Sequence, residues 1–414
     1  MTYLNLPSEP TKPRPSENIS WQIVTAILCR LLLNTARRFA YPFAPVLSRG
    51  LGVSLTSITS LIAVNQATAI VGIGFGPLAD RFGYRRMMLI GMGMLSLGML
   101  AAGIFPFYYT VMVALFLAGL GKSIFDPAIQ AYVSRRVSYA KRGRVIGILE
   151  MSWAGSTLIG IPCVAILMNR FDWQAPFYVL GGLGLVGMIG LVCLFPKNGP
   201  RKGFVPDKKR FRDIWPHLIT NRPAVGALFY AFFISVANDN LFVVYGAWLE
   251  QSFHVSVVVL GIGTGVIGLA ELCGEGLTVL ISDRVGLRRS IVAGLVLTII
   301  NYALIPLYGQ RLGFALVGIF LVFLTFEFMI VTSMSLCTEI LPNQRATMMA
   351  AFFAAAGVGR VIGALMGGHI WLLGGIWFTG MVSAGITLLA LLSLMIGLKA
   401  WHPVTPDLPP SRGS

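Results

Sequence analysis

Charge is what this sequence has least of. Asp, Glu, Lys and Arg make up 12% of its 414 residues, about half of the roughly 25% that soluble domains carry. With 56% apolar residues and a mean hydropathy of +0.77, too little surface-forming material is left for a water-soluble globule. Cysteine is scarce as well: Cys29, Cys163, Cys193, Cys273 and Cys337 all sit in apolar runs, with no CxxC or Cys/His cluster, and read as small hydrophobes. His217, His254, His369 and His402 are scattered, so spacing offers neither a metal site nor a catalytic triad. No cofactor or metal is expected, and without a nucleophile–base set no enzyme is expected either. The first 20 residues are polar and proline-rich and lead into no short apolar stretch with a small-residue cleavage site, so no cleavable signal peptide is expected. The 47 glycines follow no three-residue period, which excludes collagen.

What is present is apolar length. A bilayer-crossing helix needs about 20 mostly apolar residues. By that criterion twelve spans fall near 21–47, 53–79, 87–105, 108–134, 144–168, 173–195, 223–249, 255–281, 289–308, 313–340, 346–373 and 375–399. The expected fold class is an all-α polytopic membrane protein whose environment is the lipid bilayer. Gly and Pro interrupt several spans, as at Pro42 and Pro45, which neighbouring helices tolerate.

The net charge is +16, and its distribution decides what it means. If charges at span ends are counted with the adjoining loop, the N-terminal tail, the even-numbered connections and the C-terminal tail hold 24 Lys and Arg, against 3 in the odd-numbered loops. That asymmetry expects both termini in the cytoplasm. No base-stacking module or basic recognition helix is visible, so nucleic acid is not an expected partner. The longest connection, 196–222, carries Lys197, Arg201, Lys202, Lys208, Lys209, Arg210, Arg212 and Arg222. It reads as a basic cytoplasmic linker between two halves, 21–195 and 223–400, with attraction to anionic lipid as a second reading. The tails, 1–20 and 401–414, are proline-rich and expected to be disordered.

An internal repeat organises the halves. Asp80-Arg81-Phe82-Gly83-Tyr84-Arg85-Arg86 follows span 2, and Asp283-Arg284-Val285-Gly286-Leu287-Arg288-Arg289 follows span 8, with five of seven positions identical at an offset of 203. Loops six spans apart that match in this way predict two similar six-helix bundles. The glycine suits a tight turn, and the carboxylate can meet a helix N-terminus or the neighbouring arginines, a plausible conformational latch.

With Gly76-Pro77-Leu78-Ala79 before it, the first copy resembles the loop-2–3 signature of the major facilitator superfamily. Together with the twelve spans and the linker, that resemblance covers nearly the whole chain. It implies a secondary transporter working by alternating access, with no cofactor, and most similar to the twelve-span drug:proton exporters of bacterial inner membranes; the alternative readings are a metabolite importer or facilitator and a non-transporting sensor or assembly scaffold with the same fold. Gly155-Ser156-Thr157-Leu158-Ile159-Gly160-Ile161-Pro162 is similar to the antiporter motif of span 5, with the proline displaced and a following glycine pair missing. Leu115 occupies the place where such exporters often carry an arginine. A small-molecule solute and protons are the implied partners, and the chain is expected to act as a monomer.

Charges inside spans are expensive and become the site candidates. Arg37 and Arg38 in span 1 correspond through the repeat to Asp239 in span 7; Lys122 and Asp126 in span 4 correspond to Glu327 in span 10. In the implied fold, spans 1, 4, 7 and 10 line the cavity, so these residues would ring one mid-membrane site. Arg37 and Arg38 could bind an anionic group by bidentate contacts, while Asp239 or Glu327 carries the proton. Equally, the charges could pair across the bundle, as Lys122 and Asp126 can by their i, i+4 spacing. Glu271 and Glu275 in span 8, with Glu150, are expected where the halves meet, either sharing a proton or packing helices. Asn238 and Asn240 could bond solute or hold helices together. Arg360 is expected to neutralise a carboxylate or cap the interface, and Phe39, Tyr41, Phe125, Phe242, Tyr245 and Phe326 to form an apolar wall for a lipophilic ligand or to pack between helices and against lipid.

Overall fold

A computed structural model describes residues 19–72, 82–137, 145, 147–196, 220–309, 311–341, 345–399 and 401. The helices follow the apolar runs. Span 1 is Ile19–Arg38 continued by Ala44–Leu51, and span 7 is Arg222–Phe242 continued by Tyr245–Phe253. Between them lie Leu55–Gly72 (span 2), Tyr84–Ile104 (span 3), Tyr108–Arg136 (span 4), Gly147–Arg170 (span 5) and Ala175–Leu194 (span 6). Val257–Val285, Leu287–Tyr308 and Leu312–Ile340 are spans 8 to 10.

Among the described residues, ten helices are by themselves long and apolar enough to cross a membrane, or eleven when Leu55–Val71 is taken with Ala44–Leu51, from which it turns by 114°. The longest, Arg345–Gly397, is broken by non-helical backbone at Gly374 and Gly375. Its length is more than twice the requirement of about 20 residues, so it is two spans, 11 and 12, joined at a glycine hairpin. The total is the expected twelve, in two six-helix bundles.

Spans 1 and 7 form the centre. Residues 33–45 and 234–249 are buried without interruption on every helical face, which only a helix surrounded by others achieves. Outer spans keep one apolar stripe exposed, such as Val179, Leu183, Val186 and Ile189 in span 6, the face for lipid chains.

The repeat is written into the backbone. Gly83 (φ 91°, ψ 139°) and Gly286 (φ 92°, ψ 140°) precede spans 3 and 9 with the same conformation, one that a side chain would strain. At the opposite face, left-handed residues end span 1 at Gly52 (φ 64°) and span 7 at His254 (φ 51°). Two residues on, the Ser54 and Ser256 hydroxyls accept from the Ser57 and Val259 amides, the same N-cap in both halves.

Small residues let the helices approach. A Cβ on Gly268 of span 8 would lie 2.8 Å from Leu158 Cγ of span 5, and one on Gly368 of span 11 would lie 2.8 Å from Thr59 Oγ1 of span 2. These two pairs join the bundles. In span 5 the sequence Ser156–Gly160 is π-helical, with the Ile161 amide donating to Ser156 O. Proline has no amide hydrogen and its ring presses on the carbonyl four residues back; the widened turn accommodates Pro162 within a continuous span. The motif containing Gly155, Gly160 and Pro162 is therefore a local distortion at the bundle interface.

Candidate functional site

Charged and polar side chains from both bundles meet halfway along the central spans. Arg38, at the end of the first helix of span 1, makes a bidentate contact with Glu271 of span 8, Nη2–Oε1 2.6 Å and Nη1–Oε2 3.2 Å. Both side chains are 5% exposed. The Thr157 hydroxyl, in the π-turn of span 5, donates to Glu271 Oε2 at 3.4 Å. The Arg38 guanidinium lies 4.3 Å above the Trp153 ring. A buried ion pair holds only when its remaining donors and acceptors are satisfied, and here hydroxyl and indole complete it.

Beside it runs a second connection. Arg37 donates to the side-chain oxygens of Asn65 (3.1 Å) and Gln66 (2.7 Å) in span 2. Gln66 in turn donates to the Tyr41 hydroxyl, and Tyr41 donates to Asp239 Oδ1 at 3.0 Å. Asn65 is fixed by donating to Leu115 O at 2.6 Å. The chain Arg37–Gln66–Tyr41–Asp239 thus links spans 1, 2 and 7. Tyr41 stacks on Phe242 with 4.2 Å between centroids, and Phe242 on Tyr245 at 5.5 Å.

The N-terminal bundle keeps a third cluster of its own. Arg30 bridges Asp126 (3.0 Å) and Glu150 (3.0 Å), and Lys122 meets Asp126 at 2.5 Å through the i, i+4 spacing. The group pairs two cations with two carboxylates and needs no ligand. Lys122 and Asp126 are therefore brought to the site already paired, and Arg30, an intramembrane charge to which no partner was assigned from sequence, is their anchor.

Glu327 in span 10 is different. Its Cβ packs on Gly274 of span 8, and its carboxylate has no hydrogen bond or ion pair among the described residues. Glu271, Glu275, Arg38 and Arg360 are the charges that act on it. Glu275, a turn from Glu271, is partly exposed and likewise unpaired among the described residues. Asn238 is buried, with an Oδ1 that has no partner among the described residues. Asn240 turns away from the centre: its amide donates to Thr379 O (3.2 Å) and Ser383 Oγ (2.9 Å) of span 12, so it holds helices and does not reach the central cleft.

Exposure differs along the axis. On the side away from the chain ends, Tyr41, Phe43, Leu47, Tyr245 and Trp248 are almost fully buried. There Arg49 meets Glu250 at 2.7 Å across the two bundles. On the side of the chain ends, the side chain of Glu150 is 44% exposed, and Glu275 and Gln130 are accessible too. Burial is therefore nearly complete on one side of Arg38–Glu271 and incomplete on the side where span 1 begins and span 12 ends, and the space between the bundles on that side is the candidate cleft.

Of the repeated loops, Gly76, Asp80, Arg81 and the side chain of Asp283 lie outside the described residues, as do linker positions 197–219 and most of both tails. Gly83 and Gly286 make the paired turns described above. Arg85 donates to Val192 O at 2.6 Å, a cation at the end of span 6, where the helix dipole favours it. Arg86, Arg284 and Arg288 are exposed.

The Major Facilitator Superfamily model matches residues 26–245 and 227–413. An uncharacterized MFS-type transporter of Bacillus subtilis (strain 168), YceJ, is 24% identical over 299 residues, 72% of this chain and 75% of that protein. The "Multi-drug resistance efflux pump PmrA homolog" of Lactococcus lactis subsp. lactis (strain IL1403) is 23% identical over 371 residues, 86% of this chain and 90% of that one. Among solved structures, a bacterial homologue of the human lysosomal transporter Spinster, inward-facing and occupied, superposes with a TM-score of 0.75 at 14% identity, covering 93% of this chain and 98% of that one. A peptide transporter, POT, gives 0.77 at 13%, covering 91% and 94%. Those likenesses carry the fold alone. Matched along both halves, with the twelve-span architecture and the duplicated loop, this chain is a multi-pass membrane protein that belongs to the Major Facilitator Superfamily of transporters.

Proposed function

We propose that this protein is a proton-coupled exporter of a small amphiphilic organic solute, working by alternating access as a monomer in a bacterial cytoplasmic membrane. The observation that carries the reading is Glu327: a carboxyl at mid-depth, beside the ion pair that joins the bundles, and without a partner of its own among the described residues. Protonation costs it no bond, and the charge it loses changes the field on Arg38–Glu271. A proton on Glu327 and a solute in the cleft can therefore bias the same inter-bundle contact, which coupling requires. Asp239, held by Tyr41, is the second candidate carrier, and Glu271 with Glu275 are the groups through which the proton acts.

The 24 to 3 distribution of basic residues supports termini, tails and the 196–222 linker on the cytoplasmic side. In that orientation the cleft faces the cytoplasm, ready to load a solute for export. The likeness to the efflux pump homologue and the span-5 motif support the outward direction. The loops at Asp80 and Asp283 would latch the cytoplasmic ends when the cleft closes, and bundles 21–195 and 223–400 would rock about Arg38–Glu271.

The test is proton movement in proteoliposomes carrying an internal pH dye, with a panel of cationic drugs and organic anions. A solute-dependent pH change in the wild type, lost in Asp239→Asn with Glu327→Gln, is the expected result. Solute equilibration without a pH change would indicate a facilitator, and no flux of any solute would end the transport reading.

A further inference from the structure

Arg360 in span 11 has no hydrogen bond or ion pair among the described residues, and its direction follows from helical geometry. Gly359, Gly363 and Gly367 lie on span 7: a Cβ on Gly363 would reach Val236 O and lie 3.0 Å from Asp239 Cβ, and one on Gly367 would lie 2.7 Å from Asn240 O. Gly357 and Gly368 face span 2, where Ile70 and Thr59 are their neighbours. At about 100° per residue, Arg360 points into the narrow sector between those two faces. The wide sector on the other side holds Val358 and Leu365, both exposed, and is the lipid face. Arg360 therefore projects inward toward the centre, and it acts electrostatically on Arg37, Tyr41, Asp239 and Glu327.

The charge count at that point does not close. Arg37 is bonded only to neutral amide oxygens and Arg360 to no described group; of the carboxylates that act on Arg37, Asp126 is already paired with Arg30 and Lys122, which leaves Asp239 among the described residues. Arg38 is not available, since Glu271 occupies both of its Nη groups. Glu327 and Glu275 can discard their charge by taking up a proton, whereas a guanidinium cannot. Two permanent cations facing one carboxylate leave a positive site in a medium where a lone charge is costly. Next to it, the Tyr41–Phe242–Tyr245 stack supplies an apolar wall.

We infer that Arg360, with Arg37, forms the anion subsite of the cleft, and that the solute is an organic anion with an aromatic or otherwise apolar body. The inference rests on the transport reading, and it moves anion binding from the Arg37–Arg38 pair expected from sequence to Arg37–Arg360. Glu327, on the facing bundle, then gains its proton in a cleft whose solute is negative.

Binding to purified protein in detergent tests it separately from flux. The probes are 2-naphthoate, its neutral counterpart 2-naphthamide, the lipophilic cation tetraphenylphosphonium, a set of aliphatic mono- and dicarboxylates, and chloride and sulfate salts. Carboxylates are expected to bind, with affinity weakened about tenfold or more in Arg360→Gln, the loss of a charge-assisted contact, and partly retained in Arg360→Lys. A monodisperse elution profile keeps misfolding apart from lost binding. Naphthamide binding as tightly as naphthoate, Arg360→Gln binding carboxylates like wild type, or no carboxylate binding at millimolar concentration would each overturn the inference. Displacement by chloride or sulfate as effective as by carboxylates would make the subsite a counter-ion site and overturn the organic solute. If proteoliposome flux fails while carboxylates bind through Arg360, the transport reading fails and the subsite stands.

Discussion

The Tyr41 hydroxyl of span 1 donates to Asp239 Oδ1 of span 7 at 3.0 Å, joining the two bundles at the depth where the cleft ends. Tyr41 also accepts from Gln66, so one hydroxyl ties the Arg37 side of the N-terminal bundle to the acidic centre of the other. In the proposed rocking motion, opening the opposite face would part spans 1 and 7 and break this contact.

Replacing Tyr41 by Phe leaves Asp239 without that donor. An unsatisfied buried acceptor costs about 1–3 kcal/mol, which falls on the sealed state and shifts the balance toward the outward-open one by roughly 5- to 150-fold. Accessibility of single cysteines placed near Arg49 should rise correspondingly in Tyr41→Phe; unchanged labelling would show that the bond does not hold the seal.

The Arg38–Glu271 pair should behave as a buried ion pair does. Arg38→Met or Glu271→Gln alone is expected to destabilise by about 3–5 kcal/mol, because each strands the other partner, while the double variant recovers most of that loss. A double-mutant cycle of thermal unfolding measures it, and additive losses would contradict the pairing.

Glu327→Gln should leave stability within roughly 0.5 kcal/mol of wild type, since no bond is lost. Its effect belongs in coupling. A thermal shift as large as that of Glu271→Gln would mean that Glu327 has a structural partner.

His254 sits at φ 51°, where its repeat counterpart in span 1 is Gly52 with φ 64°. His254→Gly is expected to raise stability by up to about 1 kcal/mol, and Gly52→Ala to lower it by about 1 kcal/mol, because left-handed backbone disfavours a Cβ. Melting temperatures that move the opposite way would refute the turn geometry.

Depth was legible in the sequence and rotation was not. The 203-residue repeat pairs Arg37 with Asp239 and Lys122 with Glu327, because an offset relates how far along its own helix each residue of a pair lies. Which neighbour a side chain meets depends on the angle about the helix axis, and on the other bundle. Arg38 therefore pairs with Glu271, 233 positions away, and not with its repeat partner. Lys122–Asp126 could be foreseen because a single helix sets that angle. Arg360, expected to neutralise a carboxylate or cap the interface, has no ion pair among the described residues and acts on Asp239 only through space; Asn240, beside Asp239 in sequence, faces span 12. Tyr41 was grouped with the apolar wall, although a hydroxyl beside a mid-membrane carboxylate is the sign of a donor. The π-turn coincides with the displaced Pro162, a signal visible in sequence whose structural form was not.

Coupling at Glu327 is tested most directly by comparing two modes of transport in the same vesicles, solute exchange at equal pH and solute movement driven by an imposed proton gradient. The account predicts that wild type performs both, with movement opposite to the proton flow, and that Glu327→Gln keeps exchange at a comparable rate while losing the gradient-driven component. Gradient-driven transport that survives in Glu327→Gln would contradict it.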